Sequence, residues 1–384
     1  MTIVYLIRHA EAEGNVYRRY HGWYNSLITE NGYRQIEALA KRFEGIQIDA
    51  VYSSDLFRTM TTAGAIYKPR GLELHTDPGL REIGGGIWED KTWGELRQAD
   101  LKSLEAFNRA DPTWQVEGSE TFGVLQMRVT RTIRKIAAAH DGQTVAIVAH
   151  GSAIRTALAG FYGYPLDEIE RVPHGDNTCV AKLTFGGDKV DIHYINDNSH
   201  LGELTTLGKQ AWWKEKGAYD YDKFNLWFRP LDFKTEAAFY YKSRKEAWKT
   251  IHGTLKGFNG DGFLADAKAH SDYDPKSVVV AMQGDKPAGI LQLDLRRDAD
   301  KGIGGIPFFY MTPETRTKGL GIQLLGQAVS TYRPLGRQFL RLRCAPENER
   351  ARRFYERYGF QKVGEEPGGL GTLDVLEKFI GYGL

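Results

Sequence analysis

Residues 3–7, "IVYLI", form an unbroken apolar run that stops at Arg8 and His9. Such a run reads as a strand buried on both faces. "NGYRQIEALAKRFEG" then sets its apolar residues at helical spacing and closes on Gly45, a helix stop. The alternation continues. "DAVYSSD" is a second strand with the helix "FRTMTTAGAIY" behind it, and "TVAIVAHG" is a third, wholly apolar strand followed by the helix "SAIRTALAGFYG". Strands alternating with helices predict a parallel sheet covered on both faces. "NTCVAKLTF" and "KVDIHYIND" predict a closing pair of strands.

The periodicity breaks after "NDNSHLGEL", where "GKQAWWKEKGAYDYDKFN" mixes lysine, aromatics and glycine without a period. A second α/β pattern runs from Phe224 to Leu384. It reads strand, long helix ("KTEAAFYYKSRKEAWKTIHG"), three strands ("SVVVAMQ", "AGILQLDL", "IPFFYMT"), helix, strand ("FLRLRC"), helix, strand. The pattern predicts a domain over 1–205, a linker over 206–223 and a second domain over 224–384. A chain of 384 residues is long enough for two cores.

Composition narrows the function classes only slightly. A formal net charge of +2 gives no electrostatic case for nucleic acid or a membrane surface. Cys179 and Cys344 lie far apart and match neither a metal-ligand spacing nor a disulfide framework. The start "MTIVYLIRH" carries charge too early for a signal peptide, and no apolar run nears membrane-spanning length. A cytoplasmic location is expected.

The chemistry sits at the strand ends. In an open parallel sheet, functional side chains gather at the carboxyl ends of strands. Here those ends deliver Arg8 and His9, then Ser53, Ser54 and Arg58, then His150 and Gly151. A single arginine or histidine at a strand end is ordinarily a solvated tip; four converging from three strands point to a site. Guanidinium forks bind phosphate oxygens in paired hydrogen bonds. A histidine beside two arginines is kept neutral, and a neutral imidazole beside a cradled phosphoryl group is a nucleophile. "LREIGGGIWED" supplies a candidate acid in Glu82, ahead of glycines that allow close approach to a ligand.

"LIRHAEAEGN", "VYSSDLFRTMTTA", "LREIGGGIWED" and "VAHGSAIR" together resemble the four signatures of the histidine phosphatase superfamily, which includes the phosphoglycerate mutases, over about residues 1–205. The resemblance implies a three-layer α/β/α fold with a mostly parallel sheet and His9 as phosphohistidine nucleophile. It also implies Arg8, Arg58 and His150 around the phosphate, Asn15 and Gly151 assisting, Glu82 as proton donor, and no metal. Ala10 replaces the commoner glycine after the histidine. The span from Glu82 to His150 lacks the insert that accompanies mutase activity in the family, and "WQVEGSETF" is similar to the phosphatases, so hydrolysis is favoured over phosphotransfer. Tyr17, Tyr20, Trp23, Tyr24, Trp88 and Trp93 either pack the loops over the sheet or stack on a large leaving group.

A second cluster lies at "MTPETRTKGLGIQLLGQAV", where a strand meets a helix. Gly319 and Gly321 bracket the helix start, so backbone N–H groups can face an anion there. "PENERARRFYERYGF" follows the next strand, with Asn348 capping a helix that bears Tyr355. The pair resembles the GNAT acyltransferases over about residues 224–384, an α+β fold with a mixed sheet. The resemblance implies acetyl-CoA as cofactor, held by Arg316, Lys318, Gly319, Leu320 and Gly321 at its pyrophosphate. Met311, Thr312 and Asn348 would lie along the pantetheine arm, and Tyr355 would protonate the leaving thiolate. The strand "IPFFYM" offers no carboxylate as general base, which leaves Asp294, Tyr310 or water as substitutes.

The expectation is a bifunctional enzyme acting on a small-molecule phosphate ester and a small-molecule amine acceptor. The alternatives are a phosphatase with a non-catalytic acyl-CoA-sensing second domain, or a mutase-type phosphotransferase.

Overall fold

The computed structural model describes residues 1–206 and 220–382. They divide into two compact units, Met1–Lys91 with Leu96–Asp220 and Thr92–Glu95 with Tyr221–Leu384. Most of the expected linker, 206–223, lies outside the described residues.

The first unit is built on β1 (Thr2–Arg8), β2 (Ala50–Ser53), β3 (Leu74–Thr76), β4 (Thr144–Ala149), β5 (Val180–Gly186) and β6 (Lys189–Asp197). Their order is β3-β2-β4-β1-β5-β6. The first four run parallel, and β5 and β6 close the edge antiparallel. Tyr5 and Ile7 on one face of β1 join a core with Leu39 and Phe43 of α1 (Glu30–Phe43) and Ala63 and Ile66 of α2 (Phe57–Tyr67). The other face is covered by α3 (Phe122–Ala139) and α4 (Gly151–Tyr162). β4 lies between two parallel neighbours, which is why its run is apolar on both faces. Helix α1 stops where expected: Gly45 has φ +74 and no atom near its missing Cβ, so the requirement is conformational.

The second unit holds β7 (Trp227–Pro230), β8 (Val278–Gln283), β9 (Lys286–Asp294), β10 (Ile303–Met311), β11 (Phe339–Cys344), β12 (Gln361–Pro367) and β13 (Thr372–Phe379). The order is β12-β13-β11-β10-β9-β8-β7. Only β10 and β11 pair parallel, so the sheet is mixed. That parallel pairing covers Ile303–Ile306 and then ends, and beyond it the two strands part. The long helix α5 (Ala237–His252) is followed by a helix that the periodicity does not announce, α6 (Gly260–Tyr273). Its first turn contains two glycines, and the Asn259 side chain caps it by accepting from the Gly262 N–H. Helices α7 (Gly321–Tyr332) and α8 (Glu349–Arg357) follow β10 and β11. Among the described residues, no helix is long and apolar enough to cross a membrane.

Candidate functional site

β1 ends in Arg8 and passes His9 into the loop, where the imidazole is buried. His9 Nδ1 lies 2.7 Å from the Ala10 carbonyl. A carbonyl only accepts, so Nδ1 carries the proton and Nε2 keeps its lone pair. Burial, then Arg58, Arg8 and His21, hold this imidazole well below its usual pKa, so it is neutral at pH 7. The His150 ring, arriving from the end of β4, stands 5.3 Å from it between centroids. His150 Nε2 is fixed 2.7 Å from the Ser54 hydroxyl at the end of β2. The three strand ends meet as expected.

Arg58 is fully buried on α2, and desolvation lowers its pKa to about 10. Its terminal nitrogens donate to the carbonyls of His21, Gly22 and Tyr24, while Arg8 donates to the Gly175 carbonyl. Arg8 Nε, Arg58 Nε and His150 Nδ1 are buried without a hydrogen-bond partner among the described residues. Buried polar atoms left unpaired are costly in a folded chain. Three of them lie in residues around one neutral imidazole, an arrangement that can receive an oxyanion when His150 Nε2 accepts from Ser54 and Nδ1 carries the proton. Gly151 keeps Arg8 open: an added Cβ would lie 3.3 Å from Arg8 Nε.

Glu82 takes up a position at the start of α4. Its carboxylate accepts from the Ser152 and Ala153 N–H groups at 2.9 and 3.0 Å, and from its neighbour Ile83. It thus occupies a helix N-terminus beside Gly151 and interacts electrostatically with Arg58. Asn15 accepts from the Ala12 N–H and lies 3.3 Å from His21 Nε2.

Several contributors escape the sequence reading. The His21 ring packs edge-on to His9 at 5.8 Å. Burial and the two arginines hold its pKa far down. Asn177 donates to the His9 carbonyl at 2.9 Å. Glu89 accepts from the N–H groups of Trp23, Tyr24 and Gly85, fixing the loop that grips Arg58. The signal for Glu89 stood in "IWED"; for His21 and Asn177, whose roles arise from loop closure, no local pattern exists. The aromatics divide. Tyr20 and Trp88 pack with Phe107, the latter also with Trp114, so they build the loop core. Trp23 is 45 % exposed, with its indole N–H on the Glu82 carbonyl at 2.9 Å.

In the second unit, Gly319 has φ +76 with open space around it, and Leu320 is buried just before α7 begins at Gly321. Among the described residues no side chain caps that helix start; the Gln323 N–H donates to the Leu320 carbonyl, which leaves the Gly321 and Ile322 N–H groups for an outside acceptor. Lys318 is exposed. A Cβ added at Gly321 would make only an ordinary van der Waals contact with the Phe354 ring, at 3.5 Å. Arg316 is turned elsewhere. Its guanidinium pairs with both carboxylate oxygens of Glu246 on α5 and donates to the Met311 carbonyl. The Thr312 N–H is used by the Ala288 carbonyl. Strand alternation therefore puts the Met311 N–H on the other edge of β10, the edge that β11 has left.

Asn348 caps α8, its oxygen accepting from the Ala351 N–H. Tyr355 is buried among Phe309, Phe354 and Phe360, and burial pushes its hydroxyl pKa far up. Of the candidate bases, Tyr310 hydrogen-bonds to Glu246 and is pushed up to about 12, chiefly by burial. Asp294 accepts from the N–H groups of Arg296 and Arg297 and lies 3.5 Å from His270 Nε2. Glu246, the carboxylate hydrogen-bonded to Tyr310, comes from a helix rather than from the strand.

Comparison with known proteins places both halves. Residues 4–198 match the histidine phosphatase superfamily (branch 1), and residues 239–360 match the acetyltransferase (GNAT) family. Phosphoserine phosphatase 1 of Hydrogenobacter thermophilus is 27% identical over 211 residues, 55% of this chain and 100% of that one. Phosphoglycerate mutase-like protein 4 of Arabidopsis thaliana is 32% identical over 209 residues, covering 53% and 89%. The solved structure of Bacillus stearothermophilus YhfR is similar with a TM-score of 0.51 and 34% identity, covering 52% of this chain and 99% of that one. The chain belongs to the histidine phosphatase superfamily and carries a GNAT acetyltransferase domain behind it.

Proposed function

We propose that the first unit hydrolyses phosphate monoesters through a phosphohistidine at His9. The observation that carries this reading is the unpaired, buried trio Arg8 Nε, Arg58 Nε and His150 Nδ1 around an imidazole whose lone pair is free. His9 Nε2 attacks phosphorus, the bond to the leaving oxygen breaks, and Glu82, protonated in the ester complex, gives that oxygen its proton. Water then attacks the phosphohistidine, Glu82 takes its proton, and inorganic phosphate leaves. The guanidinium groups supply the positive charge, so the reaction needs no metal. Hydrolysis is favoured over phosphotransfer because the residues between Glu82 and His150 go into loop packing and α3.

The second unit is proposed to transfer an acetyl group to an amine. Acetyl-CoA supplies the activated thioester. The uncapped N-terminus of α7 would hold its pyrophosphate, with Gly319 and Gly321 allowing close approach and the Met311 N–H facing the arm. Tyr355, which keeps its proton, would give it to the leaving sulfur, while the acceptor amine would release its own proton to water, from which Tyr355 is restored. Arg316 contributes by bracing the loop against Glu246.

The two activities are tested on one preparation, by phosphate release from a metabolite panel and by free thiol release from acetyl-CoA with a panel of amines. Thiol release only at the rate without amine would leave the second unit a binding module.

A further inference from the structure

Glu82 lies in a stretch, residues 81–84, that belongs to no helix or strand. Its backbone is held by one side chain of α3. Arg128 carries five N–H donors in a fixed fork, and the fold gives each an acceptor. Nε and Nη2 donate to the two carboxylate oxygens of Glu120, at 2.9 and 2.7 Å. The remaining donors go to backbone carbonyls: Nη1 to Gly79 at 3.1 Å and Arg81 at 3.0 Å, with Pro78 farther off at 3.4 Å, and Nη2 to Glu82 at 3.2 Å. Glu120 completes the hold by accepting from the Gly84 N–H at 3.0 Å. The backbone before and after the acid is thus tied to one ion pair, whose side chains are 18% and 15% exposed.

This clamp joins the phosphoryl site by direct contact. The Glu82 carbonyl that takes Arg128 also takes the Trp23 indole N–H, while the Glu82 carboxylate lies on the N–H groups of Ser152 and Ala153 and interacts electrostatically with Arg58. The pKa of His150 is lowered by burial first, then by Arg58, His9 and His21, and the Arg128 charge adds to them. The acid's loop meets α3 closely: a Cβ at Gly79 would lie 2.2 Å from Oγ1 of Thr132, one turn beyond Arg128. A proton donor has to keep its place against the leaving oxygen, and a shift of about 1 Å can cost roughly 10²-fold in rate.

We propose that Arg128, braced by Glu120, is a positioning residue for proton transfer: it fixes the backbone on both sides of Glu82 and so aims the carboxyl at the leaving oxygen of the ester. The bonds at the start of α4 set where the side chain ends, and the Arg128 clamp sets where it begins. The proposal rests on the hydrolase reading above, with Glu82 as its acid.

The test is a double-mutant cycle of R128Q and E82Q in the full chain. Its readout is kcat/KM for an alkyl phosphate and for dinitrophenyl phosphate, whose leaving group needs no proton. That quantity reports the steps up to phosphorylation of the enzyme. R128Q should lower the alkyl value by roughly 10²-fold and the dinitrophenyl value by far less. In the E82Q background the same change should cost the alkyl ester little more, because no proton is left to aim. R128K keeps the charge but loses the planar fork, so it should show a smaller loss of the same alkyl-selective kind, and it carries the test if R128Q does not fold. Equal losses on both esters, an unchanged alkyl rate, or R128Q and E82Q losses that multiply would overturn the positioning role and leave the hydrolase reading standing. An E82Q variant as active as wild type on the alkyl ester would overturn the acid and its clamp together. No turnover of any ester by the wild type would overturn the hydrolase reading itself.

Discussion

Replacing Glu82 by glutamine keeps the shape of the side chain and removes both its charge and its proton-donating capacity. In the folded chain the carboxylate accepts N–H bonds from Ser152, Ala153 and Ile83 at the start of α4. The amide can keep the two bonds made to Oε1, but its NH2 group would face the Ser152 N–H. Loss of one hydrogen bond to a charged group costs about 1.5–3 kcal/mol, and loss of the negative charge at a helix N-terminus about 0.3–1 kcal/mol. For a unit of this size a change of about 2–4 kcal/mol lowers Tm by about 4–16 °C. The catalytic effect is larger. A positioned acid contributes roughly 10²- to 10⁴-fold, so turnover of an alkyl phosphate should fall by that factor. An aryl phosphate with a strongly acidic leaving phenol needs no proton and should lose far less. The assay is kcat and kcat/KM for both esters at 25 °C, well below the melting transition of the variant. Equal losses for both esters, or an unchanged rate on the alkyl ester, would refute the assignment of Glu82 as the acid.

Three further outcomes follow from the structure. His9, His21 and His150 all have pKa values depressed far below 6.5 in the folded state, burial being the first cause in each. Below about pH 6.5 the unfolded chain takes up protons that these folded imidazoles refuse, so stability is present above that pH and declines beneath it by up to about 1.4 kcal/mol per pH unit for each histidine. The first unit should therefore melt several degrees lower at pH 5.5 than at pH 7.5, and a Tm that rises on acidification would contradict it. In the second unit, Gly319→Val should abolish the rise in Tm given by acetyl-CoA, because φ +76 excludes a branched residue, whereas Lys318→Ala should reduce it only slightly. Tyr355→Phe should keep that rise and slow thiol release, and a loss of binding instead would give Tyr355 a packing role.

The parallel sheet of the first unit was legible because β1, β2 and β4 end in polar residues that interrupt apolar runs, and each run is bounded by a helix of clear period. The strand ends that bring Arg8, His9, Ser54 and His150 together follow from the same punctuation. Helix α3, "FGVLQMRVTRTIRKIAAA", is amphipathic and buries Leu125, Val129, Ile133 and Ile136 on one face. Helix α6 hides behind two glycines in its first turn, where tertiary contacts and the Asn259 cap override weak propensity. The side chains that tune the site are less legible still. Glu89 and Asn177 act on backbone groups far away in sequence, and His21 reaches His9 only when the loop closes on Arg58. The pairing of Arg316 with Glu246 likewise depends on where α5 lies, which no spacing within the loop reveals.

The central claim is covalent chemistry at one atom, His9 Nε2. Full-length protein mixed with an aryl phosphate, quenched within milliseconds into alkali and digested for mass spectrometry, should yield one phosphorylated peptide, with the phosphoryl group on His9. The phosphopeptide should form in a burst no slower than product phenol, and His9→Ala should yield neither. Steady phosphate release with no phosphopeptide, or with the group on His21 or His150, would contradict the account.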